Sequence, residues 1–357
     1  MVRSKINTNI KSVFLCDSQY QLLSVCNIIQ MNKIYNESII YIIDMFDGCS
    51  QIVKKIRSKG FTIQMIHLGH HVKIFCVFKF IFKCIIEHLK INNLENIYIS
   101  SQNGYAILFY YLMSNNNNIN LIFYDEGLYS YVNDFCRMHP FDEYFFHHRI
   151  FKLIFSNRKF NYNRIVYLYN YNYAAINEHV NYRNILMSKN LSDMFLDHII
   201  NPKLIDCEII ILDQYFLADS NEYKIYQKIL GEFSSEKIKK SVVLKKHPRN
   251  NYFDSSLTYS GVIIKNDTNL WEAEIPYINR NKTLVTFYSS AVFMPHILYD
   301  YNFKTILLYK MILNTNDYLY RMLEEFIKRF AAYNSNIEIY TPESLDELRK
   351  VIGIYEN

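Results

Sequence analysis

Three short motifs in this sequence place acidic, imidazole and hydroxyl groups where chemistry could occur. They read Asp125-Glu126-Gly127, Lys245-Lys246-His247-Pro248-Arg249 and Ser289-Ser290. Each follows an apolar run of the kind that forms a buried parallel strand. Because ligands of open α/β folds bind at the carboxyl ends of such strands, the three motifs are the first candidates for a substrate site.

The acidic pair indicates a general base. Two adjacent carboxylates repel each other, which can raise the pKa of one of them until it accepts a proton from a substrate. We expect Asp125 to be that base, with Glu126 as a rival. Asp213, which ends another apolar run beside Gln214, is an alternative base. An acidic pair before a glycine can also be a simple turn.

The histidine motif indicates a group that donates a proton to an anionic leaving group. A histidine can hold or release a proton near neutral pH, and the neighbouring Lys245, Lys246 and Arg249 would attract phosphate. Pro248 cannot continue the preceding strand. A hydrogen-bonded structural histidine is the alternative interpretation of His247.

The serine pair indicates a phosphate receptor. Ser289 and Ser290 precede a predicted helix, whose first N–H groups could bind a phosphate together with the two hydroxyls. Capping of that helix would explain the same residues. Between the histidine and the serines, Glu272 or Glu274 could bind the two hydroxyls of a ribose, or could be solvated.

Apolar runs alternate with helical patterns along the chain, which is typical of parallel sheets with helices on both faces. A second alternating series begins near residue 208, so we expect an α/β fold of two Rossmann-like lobes. The predicted strands are Ser12–Cys16, Ser38–Ile43, Thr62–His67, Asn96–Ser100, Ile119–Tyr124, Glu208–Leu212, Ser241–Lys245, Val262–Lys265, Thr283–Phe287 and Lys304–Tyr309.

The length of 357 residues also favours two domains. The predicted lobes comprise residues 1–190 and 205–340. A closing helix would occupy residues 341–357, with Thr341 as its cap and Pro342 at its first position.

An apolar helix predicted at Lys73–Lys90 raises the question of membrane contact. We interpret it as a half-buried crossover helix, with a basic amphipathic surface on anionic lipid as the alternative. The basic, aromatic segment Arg149–Asn172 could be a second lipid-facing strip or a contact between lobes. The polar stripe of the helix is formed by Lys79, Lys83, Glu87 and Lys90.

Composition excludes several classes of protein. A net charge of +5 is too small to indicate nucleic-acid binding, although it suits anionic substrates. The seven scattered cysteines, together with an N-terminus that lacks an apolar signal core, predict a reduced protein of the cytoplasm. The sequence contains one acidic and histidine-rich cluster that could bind a metal. Its spacing matches no known metal-binding pattern, so we expect no metal. That cluster comprises His139, Asp142, Glu143, His147 and His148.

The order of the three motifs over two α/β lobes resembles that of bacterial sialyltransferases, most closely glycosyltransferase family 52. Other bacterial sialyltransferases and polysialyltransferases have related acidic pair-glycine, His-Pro and Ser-Ser motifs. The opening Cys16-Asp17-Ser18-Gln19-Tyr20-Gln21-Leu22-Leu23, a strand that leads into a Gln-Leu-Leu helix, is also similar to that family. The resemblance spans the chain from its first strand to the helix after Ser290.

This resemblance implies a GT-B architecture, with an acceptor-side lobe and a CMP-binding lobe that face each other across a cleft. It implies inverting, metal-independent transfer of sialic acid from CMP-sialic acid to a terminal sugar, galactose, of a bacterial lipooligosaccharide or capsule. Asp125 would deprotonate the acceptor hydroxyl, and His247 would protonate or stabilise the departing phosphate. Ser289 and Ser290 would bind the phosphate, Lys245 and Gln214 the nucleotide, and Glu272 or Glu274 the ribose.

Two other functions remain open at this point. A GT-B enzyme could use a different nonulosonic acid or a UDP-hexose, and a protein of the same fold could assemble glycans without catalysis. A homodimer and a peripheral contact with the cytoplasmic face of the inner membrane are also compatible with the sequence.

Overall fold

A computed structural model describes most of the chain, which divides into two compact units, Met1–Phe195 and Leu196–Asn357. The described residues are 9–353, except 45, 47, 68–72, 89–90, 101–103, 115–118, 133–164, 175–179, 197–201, 215, 217–219, 235–237, 239, 248–261, 266–268 and 335.

The first unit contains a seven-stranded parallel sheet. Its strands are β1 (Ser12–Cys16), β2 (Ser38–Ile43), β3 (Ile63–Ile66), β4 (Asn96–Ile99), β5 (Asn120–Tyr124), β6 (Ile165–Leu168) and β7 (Asn181–Asn184). They are ordered β3-β2-β1-β4-β5-β6-β7. Its helices are α1 (Gln19–Asn32), α2 (Cys49–Arg57), α3 (Lys73–His88), α4 (Gly104–Met113), α5 (Leu128–Val132) and α6 (Lys189–Ser192).

The second unit contains a six-stranded parallel sheet. Its strands are β8 (Ile209–Leu212), β9 (Val242–Lys245), β10 (Val262–Lys265), β11 (Thr283–Thr286), β12 (Lys304–Leu307) and β13 (Ile339–Tyr340), in the order β10-β9-β8-β11-β12-β13. Its helices are α7 (Pro202–Asp206), α8 (Asn221–Phe233), α9 (Trp271–Glu274), α10 (Met294–Tyr299), α11 (Tyr318–Tyr333) and α12 (Leu345–Ile352).

The central strands of both sheets are buried along their whole length, which confirms the predicted α/β class. Every residue of β1, β2, β8 and β9 is buried. Parallel strands with both faces covered need such continuous apolar runs. In the first sheet β1 separates β2 from β4, and in the second β8 separates β9 from β11. The strand order reverses at these two places, where α/β proteins bind their ligands.

A lipid-facing strip, one of the two interpretations of Arg149–Asn172, is wrong for the residues of this segment that the structure describes. Ile165–Leu168, within the segment Arg149–Asn172, is β6, which pairs with β5 and β7. Val166, Tyr167 and Leu168 are buried in the sheet. A short apolar run inside a basic, aromatic stretch gave no clear periodicity, so the sequence did not reveal this strand. Residues 149–164 lie outside the described part of the chain.

The closing helix begins later than predicted. Ser344, and not Thr341, is its N-cap, because the Ser344 hydroxyl accepts a hydrogen bond from the Glu347 N–H at 3.3 Å. Pro342 therefore lies outside α12. The spacing Ser-x-x-Glu is the stronger start signal, since it satisfies N–H groups that the first turn leaves unpaired.

The polar stripe predicted along α3 is also wrong in part. Glu87 is only 1% exposed and binds Lys83 at 3.2 Å. Apolar side chains share the solvent-facing side instead: Phe82 is 68% exposed and Ile85 is 43% exposed. No helix in the described part of the chain is long and apolar enough to span a bilayer.

Candidate active site

Asp125 directly follows β5 and is fully buried. Its Oδ1 accepts hydrogen bonds from the Gly127 N–H at 2.8 Å and the Tyr20 hydroxyl at 3.0 Å. Its Oδ2 accepts hydrogen bonds from the Tyr131 hydroxyl at 2.5 Å and the Tyr169 N–H at 3.3 Å. Gly127 adopts a φ of 107°, a region that favours glycine. Groups that follow β1, β5 and β6 therefore converge on one carboxylate.

Burial raises the pKa of Asp125 from its ordinary 3.8 to about 6. The hydrogen bonds from Tyr131, Gly127, Tyr169 and Tyr20 oppose this shift, since they stabilise the ionised form. We expected a raised pKa from repulsion by an adjacent carboxylate, whereas desolvation is the main cause. A carboxyl group with this pKa is ionised at neutral pH and still basic enough to accept a proton.

Glu126 lies beside Asp125 in a different environment. Its side chain is half-buried, and its N–H donates to the Ser130 hydroxyl at 2.9 Å, in the turn that opens α5. Its role as the rival base stays a prediction.

The second unit brings the ends of three strands together. β9, β8 and β11 are neighbours in its sheet, and Leu212 pairs with Lys245 at the last rung between β8 and β9. Asp213 follows β8, His247 follows β9, and Ser289 follows β11. The sheet topology therefore gathers the histidine and serine motifs at one carboxyl edge, at the point where the strand order reverses.

Asp213 links the ends of β8 and β9. It is 4% exposed, and its Oδ2 accepts a hydrogen bond from the His247 N–H at 3.0 Å. Its Oδ1 accepts hydrogen bonds from the Gln214 N–H at 2.8 Å and from the Tyr226 hydroxyl. These contacts favour a positioning role for Asp213 over the role of alternative base.

Gln214 lies at the same edge with a half-buried side chain. Its Oε1 is buried and accepts no hydrogen bond from the residues that the structure describes. The predicted contact of this side chain with the nucleotide stays a prediction.

Lys245 and Glu274 form a buried ion pair within the second unit. The Lys245 Nζ lies 2.7 Å from the Glu274 Oε2 and donates to the Asn269 carbonyl at 3.1 Å. The Asn269 side chain donates to the other Glu274 oxygen at 3.1 Å. Lys245 is 8% exposed and Glu274 is fully buried, so their charges connect β9 to α9. Of the two predicted ribose-binding carboxylates, this favours the half-buried Glu272.

Ser289 caps a short turn after β11. Its hydroxyl accepts a hydrogen bond from the Ala291 N–H at 3.3 Å, and Ser290 begins a 3₁₀ turn. The α-helix predicted to start near Ser290 begins later, at Met294. Both serines are half-buried. The ring N–H of Trp271 donates a hydrogen bond to the Ala291 carbonyl at 2.8 Å, which holds the turn in place.

The structure describes none of the acidic and histidine residues that the sequence offered for metal binding. Among the described side chains, no three His, Cys, Asp or Glu residues are grouped as a metal ion would require. The cluster that includes His139 and Asp142 lies outside the described residues.

Sequence comparison gives a family for this chain. The family model of alpha-2,8-polysialyltransferases matches residues 12–310, from β1 to the turn after β12. The chain belongs to this family. This match confirms the expected relationship to bacterial sialyltransferases. It also supports the expected class of enzyme, a glycosyltransferase. No curated protein matches the chain significantly.

Solved structures support the fold. The alpha/beta-galactoside alpha-2,3-sialyltransferase of Photobacterium phosphoreum is 13% identical with a TM-score of 0.54, over 93% of this chain and 98% of its own. The glycosyltransferase SnogD of Streptomyces nogalater is 9% identical, with a TM-score of 0.53 and coverages of 96% and 91%. The UDP-GlcNAc 2-epimerase of Neisseria meningitidis is 10% identical, with a TM-score of 0.55 and coverages of 96% and 98%. These similarities confirm the predicted GT-B class with two Rossmann-like units.

Sequence reasoning missed the residues that support the predicted ones. Tyr20 and Tyr131 bind Asp125, Tyr226 binds Asp213, and Asn269 binds Glu274. Tyr20 stood in a recognised motif, but one of 32 tyrosines carries little signal. Tyr20 is 105 positions from Asp125, so only the fold could identify that contact. The other three partners lie within 13 positions of their carboxylates, but their residue types carry no signal that marks such a contact.

Proposed function

We propose that this protein transfers sialic acid from CMP-sialic acid to the terminal sugar of a bacterial lipooligosaccharide or capsule, with inversion and without a metal. The match to the polysialyltransferase family over residues 12–310 carries this proposal. Asp125 serves as the base for the acceptor hydroxyl, and His247 serves as the acid at the phosphate. Ser289 and Ser290 bind the phosphate, and Glu272 binds the ribose.

The environment of each group supports its proposed role. Asp125 combines burial with a pKa near 6, as a base working at neutral pH requires. The His247 N–H donates a hydrogen bond to Asp213, which holds this residue at the carboxyl edge of the second sheet, where the half-buried serines also lie. Donors that are fixed before reaction stabilise the charge on a leaving phosphate without reorganising, and loss of one costs about 10²–10³-fold in rate.

The linkage in the name of the matched family indicates which acceptor the enzyme uses. A linkage to position 8 needs a sugar with at least eight carbons, and galactose has six. Membership of an alpha-2,8-polysialyltransferase family therefore favours a glycan that ends in sialic acid. The terminal galactose expected from the resemblance is the second candidate, and a different nonulosonic acid or a UDP-hexose is the alternative donor.

The experiment measures nucleotide released from CMP-sialic acid and from UDP-hexoses, with and without a chelator. Acceptors ending in galactose and in sialic acid are compared. We expect CMP release, unaffected by the chelator, that falls at least 100-fold in His247→Ala. His67→Ala is the matched control, because His67 is exposed and binds Asp44 in the first unit. Donor binding without turnover in the wild type would indicate a non-catalytic protein.

We further propose that the enzyme works at the cytoplasmic face of the inner membrane, with α3 touching the lipid. The exposed Phe82 and Ile85 can enter the interface, while Lys79 and Lys83 are attracted to anionic headgroups. Glu87, the acidic residue of the expected stripe, is buried and pairs with Lys83, so the exposed Lys79 carries most of this attraction.

A further inference from the structure

The proposed base does not itself reach the surface of its unit. Asp125 is fully buried, whereas an acceptor hydroxyl must arrive from solvent. A proton that moves from the acceptor to Asp125 therefore needs either an opening of the site or a group in between.

The groups around the carboxylate differ in their ability to pass a proton. Among the described residues, four groups donate hydrogen bonds to Asp125, and those of Gly127 and Tyr169 are backbone N–H groups that cannot exchange a proton quickly. Tyr131 has a hydroxyl, but its side chain is fully buried. Burial and the adjacent carboxylate raise the pKa of Tyr131, so its hydroxyl remains a fixed donor.

Tyr20 is the remaining donor and has a different position. Its side chain is half-buried, and its hydroxyl donates to the Asp125 Oδ1 at 3.0 Å. The ring lies 6.1 Å from that of Tyr169, and the residue sits in the first turn of α1, which Ser18 caps. Its hydroxyl is thus held against the carboxylate by ordered structure.

We propose that Tyr20 is a catalytic residue that relays the acceptor proton to Asp125. This inference rests on the proposed sialyl transfer. The acceptor O–H bond breaks as its proton moves to the Tyr20 oxygen, while the Tyr20 hydroxyl proton moves to the Asp125 Oδ1. The freed electron pair of the acceptor oxygen forms the bond to the anomeric carbon of the donor. The bond from that carbon to the phosphate oxygen breaks, and its electron pair leaves with CMP. Asp125 later returns its proton to water along the same path.

The first test compares Tyr20→Phe with Tyr131→Phe in the full chain. Each variant removes one hydroxyl that stabilises ionised Asp125, so each should shift the acidic limb of the rate profile to higher pH. A relay predicts an additional effect for Tyr20→Phe alone, with kcat at pH 8 at least tenfold below that of Tyr131→Phe. Equal plateau rates in the two variants would overturn the relay and leave Tyr20 with a positioning role only.

The second test leaves Tyr20 unchanged and removes the proton that His247 gives to the phosphate. Single-turnover rates of His247→Ala are measured in mixtures of H₂O and D₂O at pH 8. Two protons that move in one step give a curved dependence on the deuterium fraction, and one proton gives a straight line. A straight line would overturn the relay even if Tyr20→Phe does not fold. Absence of CMP release by the wild type would instead refute the proposed sialyl transfer.

Discussion

The Asp213 carboxylate accepts a hydrogen bond from the backbone N–H of His247 at 3.0 Å, and so joins the ends of two neighbouring strands. The histidine itself was found from the sequence. Its placement depends on a residue 34 positions earlier, which was considered only as an alternative base.

Replacement of Asp213 by Asn should misplace His247. One oxygen of the carboxylate accepts from Gln214 and Tyr226, so the amide nitrogen would face the His247 N–H and leave it without an acceptor. A displacement of about 1 Å at a reacting group can cost about 10²-fold in rate. We expect kcat to fall by about that factor, with a smaller change in KM for the donor.

Tyr226→Phe is the matched control for Asp213→Asn. It removes a partner of the other carboxylate oxygen and leaves the His247 contact intact, so its loss in kcat should be smaller. If Asp213→Asn also abolished the acidic limb of the pH profile, Asp213 would be the base and not a positioning residue.

The pH dependence of kcat should report Asp125. A base acts in its ionised form, so activity should be lost as the pH falls through the Asp125 pKa of about 6. Asp125→Asn should remove this limb and lower the plateau by about 10²–10⁴-fold. Rate profiles at saturating donor and acceptor test this, with Asp44→Asn as control. Loss of the limb in Glu126→Gln instead would assign the base to Glu126.

The Lys245–Glu274 pair should be important for the stability of the second unit. Glu274→Gln leaves a buried ammonium without its counter-charge, which typically costs about 3–5 kcal/mol. Urea unfolding can be followed by the fluorescence of Trp271, the only tryptophan of the chain. Glu343→Gln is the control, because Glu343 is 65% exposed in its pair with Lys310 and should contribute at most about 1 kcal/mol. Similar losses in both variants would contradict this prediction.

The start of the last helix can be tested with two neighbouring variants. Ser344→Ala removes a cap that accepts the Glu347 N–H, and should lower the free energy of unfolding by about 1 kcal/mol. Thr341→Ala should change it by less than about 0.5 kcal/mol, because Thr341 lies outside the helix. A larger loss in the free energy of unfolding for Thr341→Ala than for Ser344→Ala, measured by urea unfolding, would support the helix start inferred from the sequence.

Membrane contact through α3 should depend on its exposed apolar residues. We expect the wild type to sediment with vesicles that contain anionic lipid and much less with neutral ones. A double variant, Phe82→Ser with Ile85→Ser, should lose most of this binding. Leu186→Ser is the control, since Leu186 is 67% exposed and lies in the same unit. Equal binding of the double variant and the wild type would refute the contact.

The sequence revealed most strands that have continuous apolar runs, although it missed β6, and it also missed the two strands that lack such a run. The bounds of β1, β2 and β10 agree with the prediction, because short apolar runs bounded by polar residues give a clear signal. β7 reads Asn-Tyr-Arg-Asn and β13 has two residues, so neither carries a pattern of its own. Their pairing depends on a neighbouring strand that is already in place.

The sequence by itself determined the α/β class, the candidate base Asp125 and the strand-end positions of His247, Ser289 and Ser290. These features depend on local patterns: an apolar run, its end, and the polar residue that follows. Only the tertiary structure decided which side chains surround Asp125, that burial sets its pKa, and that Asp213 holds His247. Such contacts join residues from different strand ends, and parallel strands bring these ends together only after the sheet has formed.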